Sequence, residues 1–334
     1  MRLVRLKAQA ASGNLKLVEA EPRSPGPGEV LVRIRACSLN AHDSMVIGGL
    51  IPTADGRIPL SDGAGEVMAI GESVDAFKIG DAVVSTFFPA WFAGNPTKAV
   101  KRDIPGETID GYASEFACRP AHHFTKAPAH SSYLESATLP CAGVTAWSGL
   151  MTHGQVKPGE TVLVLGSGGV SLFALQFAKM VGARLIATSS SEDKLAQLQR
   201  LGADEVINYK ECPAWGRKAK ELTDGRGVDH VVEVGGPGTI MQSIEACRMG
   251  GHIAVIGVLT GFSGDISIPA IFSNQIRITG IQVGSRAEQA SMIRAINANA
   301  LKPVIGQVYP FEEINDAFAD FDAGKSFGKA CMEF

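Results

Sequence analysis

The stretch TVLVLGSGGVS, from Thr161 to Ser171, decides the fold. Its VLVL run is too continuous for a strand with one wet face and fits a strand buried on both sides. Gly166, Gly168 and Gly169 interrupt the run, and the helical pattern SLFALQFAKMV follows. In a turn from strand to helix, Gly166 allows the tight bend and Gly168 lets backbone approach a ligand. The helix beginning near Val170 then offers unpaired N–H groups and a positive dipole end. Such an end accepts an anion, and this spacing fits the pyrophosphate of a dinucleotide. Position 171 is Ser rather than a third Gly, and a side chain this small should be tolerated between helix and strand with a slight displacement. The bland alternative is a turn that merely uses glycine; the βαβ unit that follows weighs against it.

Outward from this stretch, RLIAT (184–188), EVIN (205–208), HVVEV (230–234), HIAVIG (252–257) and RITGIQV (277–283) give five more candidate strands. Helical patterns such as EDKLAQLQRL lie between them, with Gly182 and Gly202 suited to the left-handed position after a helix. Six strands so connected predict an α/β, doubly wound parallel sheet over 141–283. Residues 1–140 read differently: short, partly alternating runs (LVRLKA, LKLVEA, EVLVRIRACSL, GAGEVMAIG, DAVVSTFF) broken by Gly and Pro predict an all-β domain. The tail, 284–334, is expected to return to that first domain with a helix near 287–298, a polar helix near 312–323 and a short last strand.

Bulk properties narrow the function. Lys plus Arg (31) are outnumbered by Asp plus Glu (34) with no run of like charge, so nothing favours nucleic acid and the partner is expected to be a small molecule. No apolar stretch of about 20 residues is present and the start lacks an apolar signal core, so no membrane role is expected and the cytoplasm is the default. Six scattered cysteines without a C-x-x-C pair argue against a disulfide framework and against a four-cysteine zinc; most should be buried thiols.

The end of the second strand chooses between cofactors. An Asp or Glu there would accept from a ribose 2'-OH and repel a 2'-phosphate. Thr188-Ser189-Ser190-Ser191 stands there instead, with Lys194 one turn on, a neutral-to-positive donor cluster that favours NADPH over NADH. Glu192 lies close enough to oppose this. Ser190 or Ser191 also suits the cap of the helix starting at Glu192, and both roles are compatible.

Across nearly its whole length the chain resembles the medium-chain dehydrogenase/reductase superfamily, in its zinc-free quinone oxidoreductase-like branch, some of whose close relatives are called alcohol dehydrogenases. The matching stretches are PGPGEVLVRIRACSLNAHD, LSDGAGEVMAIGESVDAFKIGDAVV, ATLPCAGVTAWSGL, GSGGVSLFALQFAKMVGARLIATSSSEDKL, LGADEVINY, GRGVDHVVEVGG, GGHIAVIG and FGK. The resemblance implies a GroES-like β domain built from both chain ends, a Rossmann domain between them, and an active-site cleft where they meet. It places Lys194 and Tyr209 at the 2'-phosphate and Thr145 beside the nicotinamide. By the same resemblance Val234, Gly235 and Gly236, with Gly257, Val258 and Leu259, match the walls around ribose and nicotinamide. Arg286 falls where some members reach the pyrophosphate, and Lys329 lies in the returning tail near the cofactor.

The same comparison bears on metal. Catalytic zinc needs three protein ligands and an open position, commonly two Cys and one His. Aligned with zinc-dependent members, the first Cys position is Asn40, the His position is Ser61, and only Cys141 remains; the lobe that would carry four structural Cys reads FFPAWFAGNPT. No zinc is expected. Asn40 and Asp43 match residues of the quinone oxidoreductase branch, and Asn40 is a candidate donor to substrate or cofactor. His42 falls where zinc-dependent relatives keep a proton-relaying Ser or Thr, and an imidazole titrates in the physiological range. It is a candidate proton donor, against the alternative of a loop histidine bonded to backbone or solvent. Phe87 matches a pocket Phe, and with Phe88, Trp91 and Phe92 it either lines a substrate cleft or packs the core. Asp62 matches an acid beside the metal in zinc enzymes. His122 and His123, on an expected strand, would face opposite ways and not share a metal.

Three functions stay open on the sequence: an NADPH-dependent reductase of quinones or activated alkenes, an alcohol/aldehyde oxidoreductase, and a non-catalytic NADPH-binding sensor or structural protein. The run from Arg277 to Val283 reads as an uncovered edge strand, from which a homodimer is expected.

Overall fold

Alternation builds the first sheet. In EVLVRIRACS the side chains of Val30, Val32 and Ile34 are buried while Arg33 is exposed, the period of two that a strand with one wet face imposes. The computed structural model describes residues 1–7 and 15–334, so Ala8, the last residue of the run LVRLKA, lies outside the described residues. These residues divide into two compact units, Met1–Val144 with Gly284–Phe334, and Thr145–Val283; Cys141 to Val144 group with the first.

Along the first unit run β1 (Arg2–Leu6), β2 (Leu15–Glu19), β3 (Glu29–Ser38), β4 (Asp62–Ile70), β5 (Ala82–Ser85), β6 (Phe116–Pro120) and β7 (Phe124–Lys126). The second unit contributes β8 (Thr161–Leu165), β9 (Arg184–Ser189), β10 (Glu205–Asn208), β11 (Val228–Glu233), β12 (Cys247–Val255) and β13 (Arg277–Gly280); the returning tail adds β14 (Ile305–Pro310) and β15 (Lys329–Glu333). In the first unit the order is β14-β15-β3-β4-β5-β7, with β6 also paired to β3, and β1-β2 form a separate pair. Its core gathers Val30, Ile34, Val67, Tyr112, Phe124 and Phe311. The tail is thereby tied to the middle of the sheet: Cys331 pairs with Ser38, which pairs in turn with Asp62.

The second unit is an all-parallel sheet in the order β10-β9-β8-β11-β12-β13, with helices at Gly169–Met180, Glu192–Arg200, Trp215–Glu221 and Ile240–Ala246 between strands. All five residues of β8 are buried, as a strand covered on both faces requires. Gly182 and Gly202 follow their helices at φ 80° and 104°, a region costly for a residue with a Cβ. The α/β class, the GroES-like β domain and the six-stranded Rossmann sheet are all present.

Four local expectations need correction. The tail carries a strand, β14, that the sequence pattern did not announce: its alternating residues are half-buried to exposed, so no apolar stripe marks it. The run at 277–283 is a strand only to Gly280, and Val283 takes a left-handed φ of 56°. His122 and His123 lie in a 3-10 turn, Ala121–His123, between β6 and β7, so their rings meet edge-on at 4.8 Å instead of facing opposite ways. Ser191 occupies the cap position before Glu192, but its side chain makes no capping bond. All six cysteines are free thiols, four of them buried.

Candidate active site

Three adjacent strand ends of the first unit meet in a buried polar cluster. Ser38 ends β3, Asp62 opens β4 and Lys329 opens β15. Asn40 follows β3 and caps the helix Ala41–Ile47, which carries His42 and Asp43. Ser38, Asn40, Asp43, Ser61, Asp62 and Lys329 are all buried. The Lys329 ammonium donates to Asn40 Oδ1 at 2.5 Å and to the Leu39 carbonyl at 2.6 Å, and stands 3.9 Å from Asp62 Oδ2. With its oxygen held by the ammonium, the Asn40 amide turns Nδ2 toward acceptors: Asp62 Oδ2 at 2.9 Å, Asp43 Oδ2 at 3.2 Å and Ser61 Oγ at 3.3 Å. Ser38 Oγ donates to Asp62 Oδ2 at 2.9 Å, and the Ser61 N–H to Asp43 Oδ1 at 2.9 Å.

Asp62 feels opposing forces. Burial raises its pKa, Lys329 lowers it, and Asp43 raises it again, leaving it at about 6. Its Oδ1 finds no hydrogen-bond partner among the described residues. Cys141, in the π-helical turn Leu139–Gly143, is kept a thiol: desolvation, then Asp62, push its pKa well above the ordinary value.

His42 sits at the margin of this cluster. Its Nε2 lies 2.8 Å from Glu107 Oε2, and its Nδ1 is 3.7 Å from Asp43 Oδ1, a separation for charge attraction, not for a hydrogen bond. Burial opposes the charged ring, but Asp43 and Glu107 outweigh it and raise its pKa to about 9. The ring therefore carries charge at neutral pH. Phe87 meets it edge-on at 5.1 Å and touches Phe88 at 4.8 Å. Phe87, Phe88 and Trp91 are buried, while Phe92 is exposed.

The second unit builds its site from backbone. Gly166 bends the chain at φ 73°, and Gly168 takes the cap position of the helix Gly169–Met180 without any side-chain capping bond. A Cβ added at either glycine would meet nothing within 4 Å among the described residues, so the unpaired N–H groups of the first helical turn open onto free space. Ser171, in place of a third Gly, donates its hydroxyl to the Leu165 carbonyl at 2.6 Å and so closes helix onto strand. These residues lie where the strand order reverses, between β8 and β11, beyond the carboxyl ends of the strands.

At the end of β9, Ser189 is buried and pairs in register with Asn208; its carbonyl accepts from the Tyr209 N–H at 3.1 Å. Glu192 is engaged by Asn208 Nδ2 at 2.6 Å. Ser190 and Lys194 are half-buried and Tyr209 is exposed. Thr145 is buried. Val234 and Gly235 follow β11, and Gly257 and Val258 follow β12; a Cβ on Gly257 would lie 1.9 Å from the Val234 carbonyl oxygen. The carboxyl ends of five strands thus bring together Gly166, Gly168, Gly169, Val170, Ser189, Ser190, Tyr209, Val234, Gly235, Gly257 and Val258. Arg286 and Lys329 are not among them. Both belong to the first unit, where Arg286 donates to the Phe124 carbonyl at 3.0 Å.

Two groups escaped the sequence. Glu107 is a loop acid with no local signal. Glu233 had one: it is the acid at the end of the apolar run HVVEV.

Comparison with known proteins agrees with this geometry. Residues 26–129 match the alcohol dehydrogenase GroES-like domain, and residues 169–298 match the family described as zinc-binding dehydrogenase. A zinc-type alcohol dehydrogenase-like protein of Schizosaccharomyces pombe is 43% identical over 305 residues, covering 89% of this chain and 88% of its own. A solved NAD-dependent alcohol dehydrogenase superposes with a TM-score of 0.91 at 33% identity over 100% of both chains. A quinone oxidoreductase of Pseudomonas syringae pv. tomato DC3000 does so at 0.84 and 28% identity, over 100% of this chain and 99% of its own. The chain belongs to the medium-chain dehydrogenase/reductase superfamily, in its alcohol dehydrogenase-like branch. It is a NAD(P)H-dependent oxidoreductase. No helix among the described residues is long and apolar enough to cross a membrane.

Proposed function

We propose that this enzyme is an NADPH-dependent reductase of small quinones or activated alkenes that works without catalytic zinc. The observation that carries it is the Lys329 ammonium bonded to Asn40 inside the buried cluster. The donors there do not fit zinc. Asn40 offers an amide whose oxygen is already held by a cation and Ser61 offers a neutral hydroxyl, whereas zinc binds thiolate and imidazole. Among the described residues no three His, Cys, Asp or Glu side chains are grouped to hold a metal ion. The local positive charge comes from Lys329, and Asp62 and Asp43 balance it.

The second unit's residues suit a phosphorylated dinucleotide. The uncapped helix start at Gly169 suits the pyrophosphate. The hydroxyls of Ser189 and Ser190, with Lys194 and Tyr209, suit the 2'-phosphate, while the nearby acid Glu192 is occupied by Asn208. NADPH, when bound, would supply the hydride. His42, charged at neutral pH and coupled to Glu107, supplies the proton that completes reduction, and Phe87 and Phe88 favour an apolar substrate. An alcohol/aldehyde oxidoreductase is the second reading; the same imidazolium can polarise a carbonyl oxygen, and the relatives' names favour it.

The enzyme acts in the cytoplasm as a homodimer, through the edge of β13, whose Ile278 is exposed. Only a monomer in sedimentation at micromolar concentration would remove the dimer. The activity is tested by following NADPH oxidation with quinones, enones, aldehydes and alcohols, alongside metal analysis. Turnover of quinone or enone by metal-free protein is expected; activity confined to alcohols and lost with chelation would overturn it.

A further inference from the structure

Glu233 ends β11 as a fully buried carboxylate. Its bonding partners are neutral donors from the segment that follows. Oε1 accepts from the N–H of Gly235 at 2.7 Å, the N–H of Gly236 at 3.0 Å and the Thr239 hydroxyl at 2.6 Å; Oε2 accepts from the Ser243 hydroxyl. Its main-chain carbonyl accepts from the N–H groups of Ile256 and Gly257, at 2.8 and 3.2 Å. A second brace joins the two loops. The Thr260 N–H and hydroxyl both donate to the Gly235 carbonyl at 2.8 Å, and Thr260 Oγ1 accepts from the Gly238 N–H at 2.8 Å.

Burying a carboxylate is costly unless donors replace its water. Here the donors are two consecutive peptide N–H groups, so the carboxylate fixes two peptide planes and with them the direction of the Gly235 carbonyl that Thr260 holds. A carboxylate accepts at every lone pair, which an amide in its place cannot do. The surroundings leave no room for a side chain at these two positions. A Cβ on Gly235 would lie 2.2 Å from Thr239 Oγ1, and Gly236 takes a φ of 92°. The loops after β11 and β12 are therefore joined through Glu233, with Thr260 as the second brace.

We propose that Glu233 is the positioning residue of the nicotinamide end of the cofactor site. Its carboxylate shapes the walls formed by Val234, Gly235, Gly257 and Val258 without touching the reacting atoms. The inference rests on the cofactor reading above. The adenosine end, at Ser189 and Tyr209, shares no hydrogen bond with Glu233 among the described residues and does not depend on it.

The test compares NADPH with 2',5'-ADP, which has the adenosine and the 2'-phosphate but no nicotinamide. Calorimetry is run on the wild type, Glu233→Gln and Thr239→Val. In Glu233→Gln the Kd for NADPH is expected to rise about tenfold while that for 2',5'-ADP stays within about twofold, the scale of one charge-assisted bond exchanged for a weaker one. Thr239→Val removes a single donor at a half-buried position and is expected to shift NADPH alone, by about threefold. NADPH affinity unchanged in both variants overturns the proposal, and so does an equal loss for both ligands, which would make Glu233 a support of the fold only. Should Glu233→Gln not fold, unchanged NADPH affinity in Thr239→Val overturns it. A wild type that binds neither ligand overturns the cofactor reading itself, and that outcome is visible before any variant is measured.

Discussion

The two units build their candidate sites in opposite ways. The first unit packs side-chain charge into a buried space: an ammonium, two carboxylates and an amide, each meeting another. The second strips side chains away, leaving glycine backbone and an open helix start. The first design places charge in side chains and is sensitive to pH and to the loss of any member. The second stores an electrostatic field in peptide dipoles, is insensitive to pH, and fails when a side chain enters. One site is broken by deletion, the other by addition.

The largest effect expected is from Lys329→Met. Removing the cation leaves Asp62 and the Asn40 oxygen buried without it, and breaking a buried pair costs roughly 3 to 5 kcal/mol. A denaturation midpoint close to wild type would mean that the cluster is not held by charge.

His42→Gln tests the pH sensitivity directly. The folded pKa of about 9 lies above the ordinary 6.5, so the stabilisation by this residue is complete below pH 6.5 and vanishes as pH rises through 9. A shift of that size corresponds to roughly 3 kcal/mol. Wild-type stability is expected to fall across that window and the variant's to stay flatter, measured by urea unfolding on either side of it; parallel curves would contradict the assigned charge.

Gly168→Asp applies the opposite operation. Its φ of -79° and ψ of 175° admit any residue, and Asp is a better helix cap than Gly, so stability is expected to rise by about 0.3 kcal/mol. On the proposed cofactor reading the same carboxylate would face the phosphates, and NADPH affinity is expected to drop about 10- to 100-fold. Stability and binding moving in the same direction would show that the helix start is not the anion site.

The smallest change expected is from Lys194→Ala: about a fivefold loss of preference for NADPH over NADH, read from kcat/KM with each cofactor. No change in that ratio would leave the hydroxyl groups alone to select the phosphate.

Much of the fold was legible because it repeats simple patterns. The VLVL run, the glycine turn and the helix after it are local, and local sequence sets their backbone angles. The strand β14 was missed because its side chains are only partly covered and give no apolar stripe. The candidate site was legible in parts. Asn40, His42 and Asp43 sit together on a cap and helix start, so they were found as a group. That Lys329 bonds to Asn40, 289 positions away, was not visible, since it depends on β15 pairing beside β3.

By itself the sequence determined the parallel sheet, the glycine-lined helix start, and the amide and hydroxyl at Asn40 and Ser61. These follow from residue type at short range: a Cβ is absent at Gly166 and Gly168, and an amide or hydroxyl stands at Asn40 and Ser61. Only the tertiary structure decided which charges meet. Ionic contacts fall off with distance, and strand order, not chain order, sets the distances between Lys329, Asn40, Asp62 and Asp43, between His42 and Glu107, and between Glu233 and the peptide groups it holds.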